Sequence, residues 1–310
     1  MIAAIVATVA LATGGIPAPP HGSVVFASER PVPTRHGDVK TQADVYLAVP
    51  GTKKLRRLAW GPADEDQPAL SPDRLRLAFV RTVWTRPQVA FHGVSTVFVK
   101  RLATRRLVRL GRGRSPSWSP DGSRLALVTA RGLETVRRDG SGRRLVVAGT
   151  MTSAVWSPDG SLILYAAKQP DGFVTLWVVR PDGIGRSALG LKGTTPAWSP
   201  DGKRIAYSDF FGVWVADADG ANPRQLTRIG DDPSRDINAD LGPTWSPDGT
   251  RIAYAEGLAL WDAETTGVIG PGAEPEPYSL LVVPAGGGAP EPFVGSGPIE
   301  AADYDPQWIG

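Results

Sequence analysis

The stretch PAWSPDGKRIAY, residues 196–207, reads as two β-strands joined by one tight turn. Ser199, Pro200, Asp201 and Gly202 suit the four positions of a type I turn closed by a residue at positive φ. Pro200 presets φ for the second position, and the Asp201 carboxylate can accept nearby backbone N–H groups. Gly202 takes the left-handed conformation without a Cβ clash. After it, Lys203 to Tyr207 alternate polar and apolar, as a half-buried strand does. Trp198, just before the turn, is large enough to fill a gap between neighbouring sheets.

The phrase recurs as PALSPDRLRLAF (68–79), PSWSPDGSRLAL (116–127), AVWSPDGSLILY (154–165) and PTWSPDGTRIAY (243–254). Its tryptophans are Trp118, Trp156, Trp198 and Trp245, with Leu70 in the first copy. Spacings of 48, 38, 42 and 47 residues match the period of a four-stranded propeller blade. Arg74 replaces the turn glycine of the first copy, which predicts a distorted or different turn there. Two more strand-like runs follow each hairpin, such as GVWVADADG and ANPRQLT (212–227) or LETVRRDG and SGRRLVVAG (133–149).

Residues 22–60 hold three such runs, SVVFASE, ADVYLAV and LRRLAW, with no hairpin strand in front of them. The last residues, PQWIG (306–310), are a first strand with no blade behind it. Joining the two closes a ring and removes free sheet edges. The predicted fold is therefore all-β: a six-bladed β-propeller of four-stranded antiparallel blades, closed by Pro306–Gly310. The expected blades are 22–60 plus 304–310, 67–110, 115–149, 153–190, 195–228 and 242–295. In this reading Asp121, Asp159, Asp201 and Asp248 hold turns, and Trp118, Trp156, Trp198, Trp245 and Trp308 pack between blades.

The WSPDG phrase together with ADADGANPRQLT (216–227) resembles the six-bladed propeller domain of the periplasmic TolB family, built from WD-like repeats. The resemblance spans residues 22–310. It implies an envelope-located, non-catalytic propeller that docks other proteins. TolB proper carries an α/β domain before its propeller, and this sequence shows none.

Composition fits the fold. The 310 residues are 42% hydrophobic, enough for a well-buried core, and 36 Gly with 29 Pro suit many tight turns. The absence of cysteine excludes disulfides, zinc–thiolate sites, thiol nucleophiles and a lipid-anchoring cysteine. MIAAIVATVALATGG (1–15) is apolar from Ile2 to Ala12, and Ala10-Leu11-Ala12 has the small-x-small pattern of a signal-peptidase site. Residues 1–20 are expected to be a signal peptide and short linker, although no Lys or Arg precedes the apolar run. The alternative is a buried N-terminal strand. The expected location is periplasmic or extracellular, with no transmembrane anchor after cleavage, since the run is too short for a permanent span.

In antiparallel blades the first and third turns share one face of the disc, and the second turns and blade-to-blade links share the other. The first and third turns are short here. Insertions at 30–43, 81–95, 228–242 and 257–277 all fall on the second face, which is the expected binding surface. Its candidate partner-binding residues are Trp84, Arg86, His92, Asp231, Asp232, Arg235, Trp261 and Asp262. Packing beneath their own loops is the alternative for Trp84 and Trp261.

Charge is uneven along the chain. Residues 51–150 hold 21 Lys/Arg against 7 Asp/Glu, whereas residues 201–310 hold 6 against 18. The resulting dipole could steer an acidic partner, an anionic surface or self-association; an ordinary solvated surface is the plainer account. The densest basic run is KRLATRRLVRLGRGR (100–114). A net charge of only +3, and a basic run that belongs to a strand, argue against nucleic-acid binding.

No catalytic motif is found: there is no G-x-S-x-G, no assignable Ser-His-Asp set and no complete calcium loop. His36, Asp38 and His92 share the insertion-rich face and are the weak metal candidates. The sequence thus predicts an exported, monomeric, non-enzymatic module, without a cofactor, that binds a protein or peptide. The alternative is a small-ligand binder or metal-dependent enzyme using the channel mouth.

Overall fold

The computed structural model describes residues 19–33, 39–49, 55–84, 93–104, 106–209, 211–228, 242–256, 279–293 and 302–309. Blade 1 contains β1 (Val24–Pro33), β2 (Val39–Ala48) and β3 (Leu55–Ala59). Blade 2 is β4 (Asp64–Leu70), β5 (Arg76–Trp84), β6 (Gly93–Arg101) and β7 (Leu107–Arg112). Blade 3 is β8 (Arg114–Trp118), β9 (Arg124–Thr129), β10 (Gly132–Arg137) and β11 (Arg144–Ala148). Blade 4 is β12 (Met151–Trp156), β13 (Ile163–Lys168), β14 (Val174–Val179) and β15 (Ser187–Lys192). Blade 5 is β16 (Thr194–Trp198), β17 (Arg204–Asp209), β18 (Gly212–Asp217) and β19 (Arg224–Gln225). Blade 6 is β20 (Thr244–Trp245), β21 (Arg251–Glu256), β22 (Ser279–Pro284) and β23 (Glu291–Pro292). The last strand, β24 (Ala302–Trp308), returns to pair antiparallel with β1 as the innermost strand of blade 1. The chain is a six-bladed β-propeller of four-stranded antiparallel sheets.

Closure is tied on both sides. Gly22 N–H donates to Ile309 O and Ile309 N–H to Ser23 O, each at 2.8 Å. The Gln307 side-chain oxygen accepts Leu70 N–H of blade 2 at 2.5 Å, and Trp308 N–H reaches Thr244 Oγ1 of blade 6 at 3.1 Å.

Six hydrophobic clusters fill the six gaps between blades, and the repeated tryptophans sit in five of them. Trp118 joins blades 2 and 3, Trp156 blades 3 and 4, and Trp198 blades 4 and 5. Trp245 joins blades 5 and 6, and Trp308 blades 6 and 1. Each buries a large apolar area, and the indole N–H groups of Trp118 and Trp245 donate across the gap to Ala69 O and Ala197 O. Leu70 takes this position between blades 1 and 2, packed with Leu47, Phe79 and Leu102.

That same gap holds buried charge. Asp44 is fully buried against Arg57, and Glu65 against Arg81, whose guanidinium also lies 4.9 Å from the centre of the Phe98 ring. Lys100 Nζ donates to Leu58 O at 2.7 Å across the interface. Burial pushes the Asp44 and Glu65 carboxyls above their ordinary range, against the pull of their arginines.

The turns follow the sequence expectation with one correction. In each copy a buried serine closes the loop: Ser199 Oγ lies 2.6 Å from Asp201 Oδ1 and accepts Arg204 N–H at 2.9 Å. The Ser119 and Ser246 hydroxyls, with backbone N–H groups behind them, hold the Asp121 and Asp248 carboxyls down at about 2. Asp159 and Asp201 are lowered by the equivalent serines, Ser157 and Ser199, and by the backbone N–H groups of Ser161 and Lys203. The turn carrying Arg74 is not distorted. Arg74 N–H bonds Ser71 O at 2.7 Å, as Gly122 bonds Ser119 O at 2.8 Å, and Arg74 adopts φ +55° against +64° for Gly122. The local hydrogen bonds to Asp73 impose the glycine conformation on an arginine.

A second correction concerns 30–43, expected as an insertion. β1 and β2 pair without interruption from Val24↔Ala48 to Pro33↔Val39, so most of that segment is hairpin. Among the described residues β24 pairs with β1 as far as Glu29, and Pro31 and Pro33 fall beyond that last pair.

Candidate partner-binding face

The innermost strands of all six blades line a central channel. Its waist is set by one position of the repeat: Pro68, Pro116, Ala154, Pro243 and Pro306 each border both the cavity toward the SPD turns and the cavity toward the insertions, with Pro196 on the latter. Each cavity is about 450 Å³.

The mouth on the insertion side is polar. Gln67, Arg114, Ser115, Thr152, Ser153, Thr194 and Thr195 line it. Neighbours hold one another around the ring: Gln67 Oε1 accepts Ser115 N–H at 2.6 Å, and Ser115 Oγ accepts Ala154 N–H at 3.2 Å. Thr195 Oγ1 lies 2.6 Å from Ser208 Oγ, and the Arg114 guanidinium donates to Met151 O at 3.0 Å. Gln67, Ser115 and Thr195 occupy equivalent places and all have positive φ, at +47°, +51° and +44°. A left-handed non-glycine costs about 1–2 kcal/mol. Each sits in a register shift that interrupts the pairing of its inner strand. Strain repeated around one opening is a feature of built sites.

Large apolar side chains stand exposed toward the same end. Phe173, in the β13–β14 turn, is 51% exposed with Lys192 Nζ 3.8 Å from its ring centre, and Phe211, in the β17–β18 turn, is 66% exposed. Val83 and Val94, paired near the ends of β5 and β6, are exposed as well. The opposite face exposes Leu75, Leu107 and Ile184 but, among the described residues, no aromatic ring.

Of the residues expected to bind a partner, Trp84 ends β5 opposite Gly93, and its side chain is outside those described. Arg86, His92, Asp231, Asp232, Arg235, Trp261 and Asp262 lie outside the described residues, as do His36 and Asp38. Among the described residues no three His, Asp, Glu or Cys groups come together to hold a metal, and no helix is long and apolar enough to cross a membrane.

The mouth residues were not anticipated, yet they carry a signal. The third residue before the tryptophan position is Gln67, Ser115, Ser153, Thr195, Gly242 and Asp305 in the six copies, polar in all but one.

No family model matches the chain, and no curated protein matches it. Solved structures do. TolB from Acinetobacter baumannii superposes with a TM-score of 0.66 at 17% identity, over 93% of this chain and 66% of that one. A candidate TolB from Agrobacterium tumefaciens gives 0.59 at 17% identity, over 94% and 99%. A chain of the nidogen/laminin complex gives 0.64 at 9% identity, over 92% and 98%. The propeller is TolB-like in fold. This chain spans slightly less than two thirds of the Acinetobacter protein's length.

Proposed function

We propose that the chain is an exported, monomeric propeller that binds a protein or peptide through its insertion-side face and performs no chemistry of its own. The observation that carries this reading is the polar, internally braced channel mouth beside exposed Phe173 and Phe211, on a fold shared with TolB. A braced ring loses little side-chain freedom on binding, and exposed aromatic rings supply apolar area with few rotatable bonds. The apolar run from Ile2 to Ala12 supports export, and the TolB resemblance supports an envelope setting.

Affinity capture from the organism's own envelope extract tests the reading. Residues 22–310 serve as bait, beside Phe173→Ser/Phe211→Ser and an opposite-face control, Ile184→Ser. The parent and the control are expected to retain one protein that the double variant loses. Retention by all three would move the site off this face, and retention by none would remove the binding reading.

A further inference from the structure

Beside the channel mouth, between blades 2 and 3, a cleft of about 420 Å³ opens on the insertion side. Arg112 closes β7 and Arg114 opens β8, so the link between the blades places two arginines on the lining of one cleft. Ser95, Thr129 and Thr150 complete the polar lining, and no lining residue is a carboxylate. Arg112 has no side-chain partner among the described residues, and Arg114 has only the carbonyl of Met151.

Local charge stays unbalanced one layer out. Glu134 of β10 is buried and already shared by two arginines, with Arg143 Nη1 at 2.6 Å and Arg131 Nη1 at 3.7 Å. The buried carboxylate at this end of blade 3 is therefore taken up by Arg143 and Arg131, and neither Arg112 nor Arg114 is paired with it. The pattern differs from that of Arg57, Arg76 and Arg81, each of which has its own acid. Arg114 also lines the channel mouth, so the cleft and the hydroxyl ring form one continuous surface.

We propose that this cleft is the anchor for a carboxylate side chain of an acidic peptide segment, whose backbone continues over the hydroxyls of the mouth. The inference rests on the reading of this face as partner-binding and names the partner's chemistry. A planar guanidinium pairs with a carboxylate through two parallel hydrogen bonds, which fixes orientation as well as charge. The volume falls within the ~300–1,000 Å³ range of ligand sites. The basic run of residues 100–114 thereby acquires a specific role at its end, while its first member, Lys100, is buried in the blade 1–2 gap.

The test uses the full chain and a fluorescein-labelled hexaglutamate peptide, with hexaglutamine as the neutral match. Binding is compared in the parent, in Arg112→Gln/Arg114→Gln, and in Arg106→Gln/Arg138→Gln, which removes two exposed arginines from the opposite face. Hexaglutamate is expected to bind the parent at least tenfold more tightly than hexaglutamine. The cleft variant should lose at least tenfold and the opposite-face variant less than twofold, with unchanged melting temperatures. Equal losses in both variants would reduce the effect to a diffuse field and overturn the proposal. So would failure to distinguish the two peptides, or binding to phosphatidylglycerol vesicles in place of the peptide. If the captured envelope protein is retained in full by the cleft variant but lost by Phe173→Ser/Phe211→Ser, the acidic anchor fails while the binding face stands.

Discussion

Ser199 shows how one side chain sets a turn: its buried hydroxyl serves Asp201 and Arg204 at once, and the same clasp recurs at Ser71, Ser119, Ser157 and Ser246. Because the turn carboxyls are held low, the sign of their pH dependence is fixed. Their contribution is present in full above the ordinary aspartate value of about 4 and is lost as pH falls through about 2 for Asp121 and Asp248. Ser246→Ala should cost about 1–3 kcal/mol at neutral pH and flatten part of the fall between pH 4 and 2, as read by melting temperature. Arg74 offers the reverse case. Arg74→Gly should stabilise the chain by roughly 1 kcal/mol, since glycine enters the left-handed region without the Cβ clash. Ser, Pro, Asp and Gly were legible in the sequence because each has a local mechanical role. The conformation of Arg74 was not, because hydrogen bonds to Ser71 and Asp73 decide it and residue preference does not.

Among the blades and the gaps between them, the tryptophans give five interfaces a common filling and leave the sixth different. With Leu70 in place of the ring, the blade 1–2 gap combines apolar packing with the Asp44–Arg57 and Glu65–Arg81 pairs. Removing one partner of such a buried pair strands the other charge. Arg81→Ala is expected to cost about 3–5 kcal/mol, measured by urea unfolding at pH 7. Glu65 already sits above its ordinary pKa through burial, and losing Arg81 raises it further. The penalty is fully present above the raised folded value and disappears below the unfolded value of about 4.3, so the deficit should shrink at acid pH. A deficit that is constant with pH would show that Glu65 does not remain buried. Strand alternation made the blades readable, whereas these charges were not. In β4 the run DEDQPAL looks like a solvated strand, and only assembly buries Glu65. The long β1–β2 hairpin was hidden by Pro31 and Pro33, which read as strand breakers yet stand opposite Thr41 and Val39 in the ladder.

For the whole molecule, ring closure is the feature that the sequence announced most directly, since PQWIG repeats the first strand of a blade and residues 22–60 lack one. Deleting Pro306–Gly310 should remove the end of β24 and with it Gln307, Trp308 and Ile309, the residues tied to blades 2, 6 and 1, with loss of a single cooperative thermal transition and aggregation through the exposed edge of β1. Unchanged melting would contradict the pairing of β24. The face was legible only in outline. Antiparallel order and loop length point to the insertion side, but the mouth depends on polar residues that are unremarkable one by one and converge only around the axis. Amide hydrogen exchange of residues 22–310, alone and bound to the captured envelope protein, addresses the account most directly. Protection gained at 93–96, 112–115, 149–153 and 193–195, with none at the turns 119–123, 157–161, 199–203 and 246–250, is the predicted result. Protection confined to those turns would contradict it and place binding on the opposite face.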